Sequence, residues 1–286
     1  MSMRLAGRIA RGRMGGMPAT SAATRHPLTR HSGVPAAALA LVVVIIAGLA
    51  LRSGREGAVV TAPQVVPILM YHHVGDWGPA GDWAPWVVKP EDFEAQLDWL
   101  VAHGFHAITL AELRAHRERG EPLPPRPVVL TFDDGWGEQM SIARRWLEPR
   151  GLHGVFFVYT GAIGAGGYLS WDELRALEAN GHEVLSHTVG HPDLVQVPDS
   201  RLAAEMRDSR ARLERELGHA VEVIAYPYGS HDGRVVKAAG DAGYRMAVIA
   251  TGGNDTGAEP RLEVPRWKME YGEPLERFVE RLRGSI

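Results

Sequence analysis

The 286-residue chain contains no cysteine. Disulfides and thiolate metal sites are therefore excluded, and any metal it binds must be held by His, Asp or Glu. Residues 1–34 contain no Asp or Glu but carry six arginines (Arg4, Arg8, Arg11, Arg13, Arg25 and Arg30). That leaves 25 basic against 34 acidic side chains in the remainder, a net charge of −9. Such a region lacks the basic surface that a phosphate backbone requires, so nucleic acid is not expected as a partner. Charged residues at 23% and hydrophobic residues at 45% are ordinary for a globular fold.

Long hydrophobic runs are also scarce, with one exception. Residues 34–51 read VPAAALALVVVIIAGLAL and hold no charge. A bilayer is spanned by about 20 apolar residues, with a lower limit near 17. The pattern predicts a basic cytoplasmic arm over 1–34, a membrane anchor over 35–51, a linker over 52–64 and an extracytoplasmic domain over 65–286. Gly48 and Ala50 form a small-x-small pair, so the same segment also fits a signal peptide whose cleavage would release a secreted protein.

From residue 65 onward, short β-rich runs alternate with amphipathic helical ones. VVPILMY, VVLTF and GVFFVY are near-continuous apolar strands. Residues 91–103 place Phe93, Leu97 and Leu100 at helical spacing, with Gly104 suited to end the helix. Thr109 with Glu112, and Ser170 with Glu173, are capping-box pairs that open helices. Further helices are expected near 199–217, near 232–242 and after Pro274, and further strands in HEVLSH, VEVIAY, YRMAVIA and near residues 262–264. Strands buried on both faces and separated by helices imply a parallel sheet. About seven such units imply an α/β barrel, whose chemistry lies at the C-terminal ends of the strands.

Four polar groups fall at such ends. In TFDDG, Asp133 and Asp134 follow a buried strand, although Asp-Gly is also a common turn pair. In SHTVGHP, His187 and His191 lie four apart in a stretch that Gly190 and Pro192 bias toward a loop. Neutral imidazole is a common ligand for zinc and similar metals. One carboxylate with two imidazoles makes a facial triad with open positions, and a second carboxylate beside it is a natural general base. In AYPYG, a turn can aim the Tyr228 N–H at an oxyanion. In MYHHV, a positioned histidine can protonate a leaving amine. Trp77, Trp83 and Trp86 in the following loop are either a sugar-stacking wall or loop packing, and Trp136 and Trp171 carry the same ambiguity. Residues 201–217 read as a solvated amphipathic helix.

Taken in order, YHHV, TFDDGW, HTVGH and AYPYG resemble the NodB-homology polysaccharide deacetylases (carbohydrate esterase family 4), over roughly residues 65–286. The resemblance implies a distorted (β/α)7 barrel. It implies Asp133 as catalytic base, Asp134, His187 and His191 as metal ligands, and the Tyr228 N–H as oxyanion donor. The implied metal is divalent, zinc first, with iron, cobalt or nickel as alternatives. Two features depart from the common family form: no arginine precedes Pro-Tyr-Gly, and no histidine follows His231. The YHHV strand instead resembles the branch acting on poly-N-acetylglucosamine, which assigns the acid role to His72. Arg266 in VPRW is then the candidate to orient Asp133. The implied partner is an N-acetylated polysaccharide. Peptidoglycan, chitin oligomers and acetylxylan are alternative substrates, and a non-catalytic glycan-binding barrel is the alternative class.

Overall fold

The computed structural model describes residues 64–76 and 84–285. The basic arm, the apolar run, nearly all of the linker, Trp77 and Trp83 lie outside these described residues. Among the described residues, no helix is long and apolar enough to cross a membrane.

In chain order the first half comprises β1 (Val66–Tyr71), β2 (His73–Val74), β3 (Val87–Val88), α1 (Pro90–Ala102), β4 (His106–Ala107), α2 (Leu110–Arg119), β5 (Pro127–Phe132) and α3 (Gln139–Ile142). Then follow β6 (Val155–Val158), α4 (Trp171–Ala179), β7 (Glu183–Ser186), α5 (Asp199–Leu217), β8 (Val223–Ala225) and α6 (Gly233–Asp241). The chain continues through β9 (Met246–Ile249), β10 (Asn254–Asp255), β11 (Val264–Pro265) and β12 (Trp267–Lys268) to α7 (Leu275–Arg281).

The local signals act as their chemistry dictates. Thr109 Oγ1 accepts from the Glu112 N–H while the Glu112 carboxylate accepts from the Thr109 N–H, and Ser170 with Glu173 does the same. Each box satisfies backbone donors that a helix start leaves without partners. Pro90 opens α1, where its missing N–H costs nothing, and Phe93, Leu97 and Leu100 are buried along one stripe.

β1, β5, β6 and β9 are buried along their whole length. Strands buried on both faces suit a parallel sheet covered by helices. The parallel pairings run β1–β5–β6–β7–β8–β9–β11. β12 then pairs parallel with β1, with Leu69 opposite Trp267. The last segment is thus split: its first half holds β9, its second half holds β1, and Arg266 sits at the break. The result is a nearly closed barrel. The expected alternation of strand and helix is present, with two differences. β10 lies antiparallel to β1, pairing Val66 with Asp255. After α3 the chain continues as a π turn, Ala143–Leu147, and a 3-10 turn, Glu148–Arg150, which no simple helical period in the sequence marks.

Because the staves are parallel, the segments after β1, β5, β7 and β8, and the break at Arg266, all emerge at one end. The turn after β8 fits there only through glycine. Gly229 has φ +68, and an added Cβ would stand 2.8 Å from the backbone nitrogen of Ala250. We expect Gly229→Ala to cost about 2 kcal/mol through left-handed strain and this clash. A thermal melt should show it as a fall of roughly 4–8 °C in Tm for a domain of this size; an unchanged melt would contradict this account of the turn.

Candidate active site

Asp133 and Asp134 leave the end of β5 on different backbone paths, yet both carboxylates approach His187 Nε2, at 4.0 Å and 3.6 Å. The Asp133 N–H still donates to Tyr71 O (3.0 Å), continuing the β1–β5 ladder. Asp134 turns away with φ 78, followed by Gly135 with φ 75. Of five non-glycine residues with positive φ among the described residues, four belong to the candidate motifs: Asp134, Thr188, His191 and Tyr228. Such conformations are sparsely populated and persist only where the surroundings over-determine them.

Asp134 Oδ1 lies 3.2 Å from His191 Nε2 and 3.6 Å from His187 Nε2. The two Nε2 atoms are 3.1 Å apart. Ligand atoms about 2.0–2.2 Å from a common ion stand at roughly these separations from each other. The donor chemistry fits as well. His187 Nδ1 is 2.8 Å from Ala225 O, so Nδ1 carries the proton and the Nε2 lone pair faces the cluster. Burial, with the neighbouring His191, pushes the His187 imidazole down to about 4 against the pull of Asp133 and Asp134, so it is neutral at physiological pH. Asp134 Oδ1 is buried without a hydrogen-bond partner, while its Oδ2 accepts from the Trp136 indole N–H (3.1 Å). Asp134, His187 and His191 therefore fit a divalent cation.

Asp133 is held differently. Arg266 donates to both of its oxygens, Nη1 to Oδ1 at 2.7 Å and Nη2 to Oδ2 at 2.8 Å, and Nη1 also reaches Thr131 Oγ1 at 3.0 Å. Arg266 is 1% exposed and Asp133 2% exposed, so this bidentate pair is shielded from water. Burial alone raises the Asp133 carboxyl, but the Arg266 charge, then His187 and the hydrogen bonds, outweigh it and hold the group at about 2.

His72, partly buried at the end of β1, lines the same cleft, which has a volume of about 260 Å³. Burial pushes its imidazole below the ordinary value, against the pull of Asp133 and Asp134. Trp86 stacks obliquely on His72 (4.6 Å), and the Lys268 ammonium lies 4.7 Å from the Trp86 ring centre. Trp86 is therefore packed against the site. Trp136 stacks on Tyr168 (4.5 Å) and forms a second wall with Tyr159. Tyr228, with φ 61, sets its ring 4.8 Å from His191 and leaves its side chain 63% exposed at the mouth. All seven candidate residues from the sequence converge on this cleft. Trp171 instead opens α4, where it takes the Arg212 guanidinium on its face.

Residues 120–247 match the family model for polysaccharide deacetylase. Over those residues the chain carries a polysaccharide deacetylase domain. It is 27% identical over 191 residues to YxkH of Bacillus subtilis, covering 67% of this chain and 66% of that protein. It is 25% identical over 156 residues to the poly-β-1,6-N-acetyl-D-glucosamine N-deacetylase of Staphylococcus aureus, covering 50% of this chain and 53% of the relative. The matches thus span about half to two thirds of the length of these curated relatives. Among solved structures, the deacetylase PplD of Streptococcus pyogenes, solved with acetate, superposes with a TM-score of 0.72 at 25% identity, over 77% of this chain and 99% of that one.

Three residues support the candidate site in ways that the sequence does not mark. Gln139 Nε2 donates to Asp133 O (2.6 Å) and His72 O (3.2 Å), tying two strand ends together. Trp136, read only as a stacking surface, also anchors Asp134 through its indole N–H. Glu205 is buried on α5 between Leu202 and Met206. Glu205 falls in a run that reads as a solvated helix, and nothing in the sequence around Gln139 marks its contacts.

Removing Arg266 should expose the cost of its partner. Arg266→Met leaves a buried carboxylate unpaired, which typically costs about 3–5 kcal/mol at neutral pH. In the parent, Asp133 is held below its unfolded value, so its contribution is present at neutral pH and is lost as pH falls from the ordinary carboxylate range through about 2. In the variant burial is opposed by His187 and His72 alone, so the carboxyl shifts upward from its value in the parent. Denaturant unfolding from pH 7 to pH 2 should show a stability gap between the two that narrows toward acid. A gap that is flat with pH would exclude Asp133 as its source.

Proposed function

We propose that this domain hydrolyses N-acetyl groups of an amino-sugar polysaccharide of the poly-N-acetylglucosamine kind, releasing acetate. The observation that carries the reading is the pairing of two carboxylates with opposite surroundings. Asp133 is fixed by Arg266, while beside it Asp134 Oδ1 joins two imidazole nitrogens in one cluster. The substrate class is supported by the Staphylococcus aureus relative and by His72, which lies in the cleft from the N-terminal side of the domain.

Asp134, His187 and His191 would hold a divalent ion, zinc being the best suited to that set, and the ion would supply Lewis acidity toward a carbonyl oxygen and lower the pKa of water toward about 7. Asp133 is ionised throughout the physiological range and takes the proton of the attacking water. Arg266 keeps both carboxylate oxygens in register while this happens. As the acetamide carbon becomes tetrahedral, the Tyr228 N–H donates to the developing oxyanion. In its protonated form His72 delivers a proton to the amine nitrogen as the C–N bond breaks, leaving acetate and a free amino sugar, and the proton that Asp133 took from water balances the one His72 gave up. The apolar run over 35–51 would hold this domain outside the cytoplasm, against a matrix or wall polymer.

Purified protein should release acetate from poly-N-acetylglucosamine, and a chelator should abolish that release until zinc is restored. Asp133→Asn should lose turnover by several orders of magnitude while its metal content matches the parent. Near-normal acetate release from that variant would remove Asp133 as the base. His72→Phe should lower kcat by about 10²–10⁴, the usual contribution of a positioned acid, with metal content unchanged. Release from peptidoglycan or acetylxylan in place of poly-N-acetylglucosamine would redirect the substrate assignment.

A further inference from the structure

The two imidazoles of the candidate metal set are joined by a loop that contains no helix or strand. Residues 187–193 follow β7, and within them Thr188 (φ 72) and His191 (φ 55) are both left-handed without being glycine. For β-branched Thr188 this is an unusual conformation. The loop must be held from outside. Its carbonyls are secured by the neighbouring segment after β6: Thr160 N–H donates to Thr188 O (3.0 Å) and Gly161 N–H to Val189 O (2.7 Å). His191 N–H donates to Thr188 Oγ1 (3.0 Å).

Two amides between the histidines are satisfied by one distant side chain. Glu205, 16 positions on from Val189 in the middle of α5, accepts from Val189 N–H (2.9 Å) and Gly190 N–H (2.8 Å), both at Oε2. Its residue is 6% exposed, and Oε1 faces the Arg201 guanidinium at 3.4 Å. A carboxylate buried beside Leu202 and Met206 is costly unless it is paired. Here the burial coincides with an aim at the only two amides between Thr188 and His191.

We propose that Glu205 is a positioning residue for the metal set. It pins the Val189–Gly190 amides and so fixes the His187-to-His191 geometry, in which both Nε2 atoms face Asp134. The proposal rests on the deacetylase reading in one respect, that these three side chains take up a metal. Because a single oxygen accepts both bonds, an amide oxygen in the same place can replace it. A shorter carboxylate keeps the charge but withdraws the oxygen by about one C–C bond, beyond reach of both amides.

Glu205→Gln, Glu205→Asp and Glu205→Leu should therefore separate by reach and not by charge. The probe is Co²⁺ added to the metal-stripped full chain, read by calorimetry and by the visible d–d absorption. Temperatures are kept well below each variant's melting point. Glu205→Gln is expected within about threefold of the parent's affinity. Glu205→Asp and Glu205→Leu are expected to lose about 10–100-fold, the range for residues that orient metal ligands, with an altered d–d spectrum. A merely structural role would lower Tm while leaving affinity and spectrum of the folded protein unchanged. Parent-like affinity in Glu205→Asp overturns the proposal even if Glu205→Leu fails to fold. If the parent and a His191→Ala control take up Co²⁺ equally, the metal set itself is wrong, and that result overturns the deacetylase reading separately.

Discussion

The site depends on one buried ion pair placed where the barrel closes. Arg266 occupies the break between β11 and β12, so the residue that joins the last stave to both of its neighbours also grips Asp133. Burying either charge alone would cost several kcal/mol. The bidentate geometry, with Thr131 as a third acceptor, makes the pair tenable and leaves Asp133 ionised in a place where water is scarce. Closure of the fold and the electrostatics of the carboxylate are thus one constraint.

Around that pair the protein divides its labour by chemical type. Asp133 takes two charge-assisted hydrogen bonds from Arg266, whereas Asp134, grouped with the imidazoles, leaves an oxygen without a hydrogen bond. Each member of the triad is oriented from behind: Asp134 by Trp136, His187 by the Ala225 carbonyl, and the His191 loop by Thr188 and Glu205. The left-handed conformations at Asp134, Thr188, His191 and Tyr228 are the backbone cost of pointing these groups into one cleft.

What the sequence makes legible is what local chemistry determines. Buried strands, the two capping boxes and the four motif loops can be read because each depends on residues close together in the chain. The Thr109 and Ser170 caps are present with both reciprocal bonds. Long-range pairings are less visible. The antiparallel β10 edge is two residues long and carries no alternation. The π and 3-10 turns after α3 have no single period to detect. Residues 201–217 read as a solvated face, and only the fold shows that Glu205 points inward to Val189 and Gly190. Arg266 was singled out for lack of another arginine, yet its pairing spans 133 positions and only barrel topology brings it about.

That spacing has a consequence for how the protein comes into being. Strand β5 and the two carboxylates are synthesised well before the segment carrying Arg266. A nascent chain that has emerged only that far has neither its final stave nor the guanidinium that orients Asp133. Asp133 is therefore oriented only once the closing stave is in place, and a chain truncated before Arg266 loses barrel closure and an oriented carboxylate together.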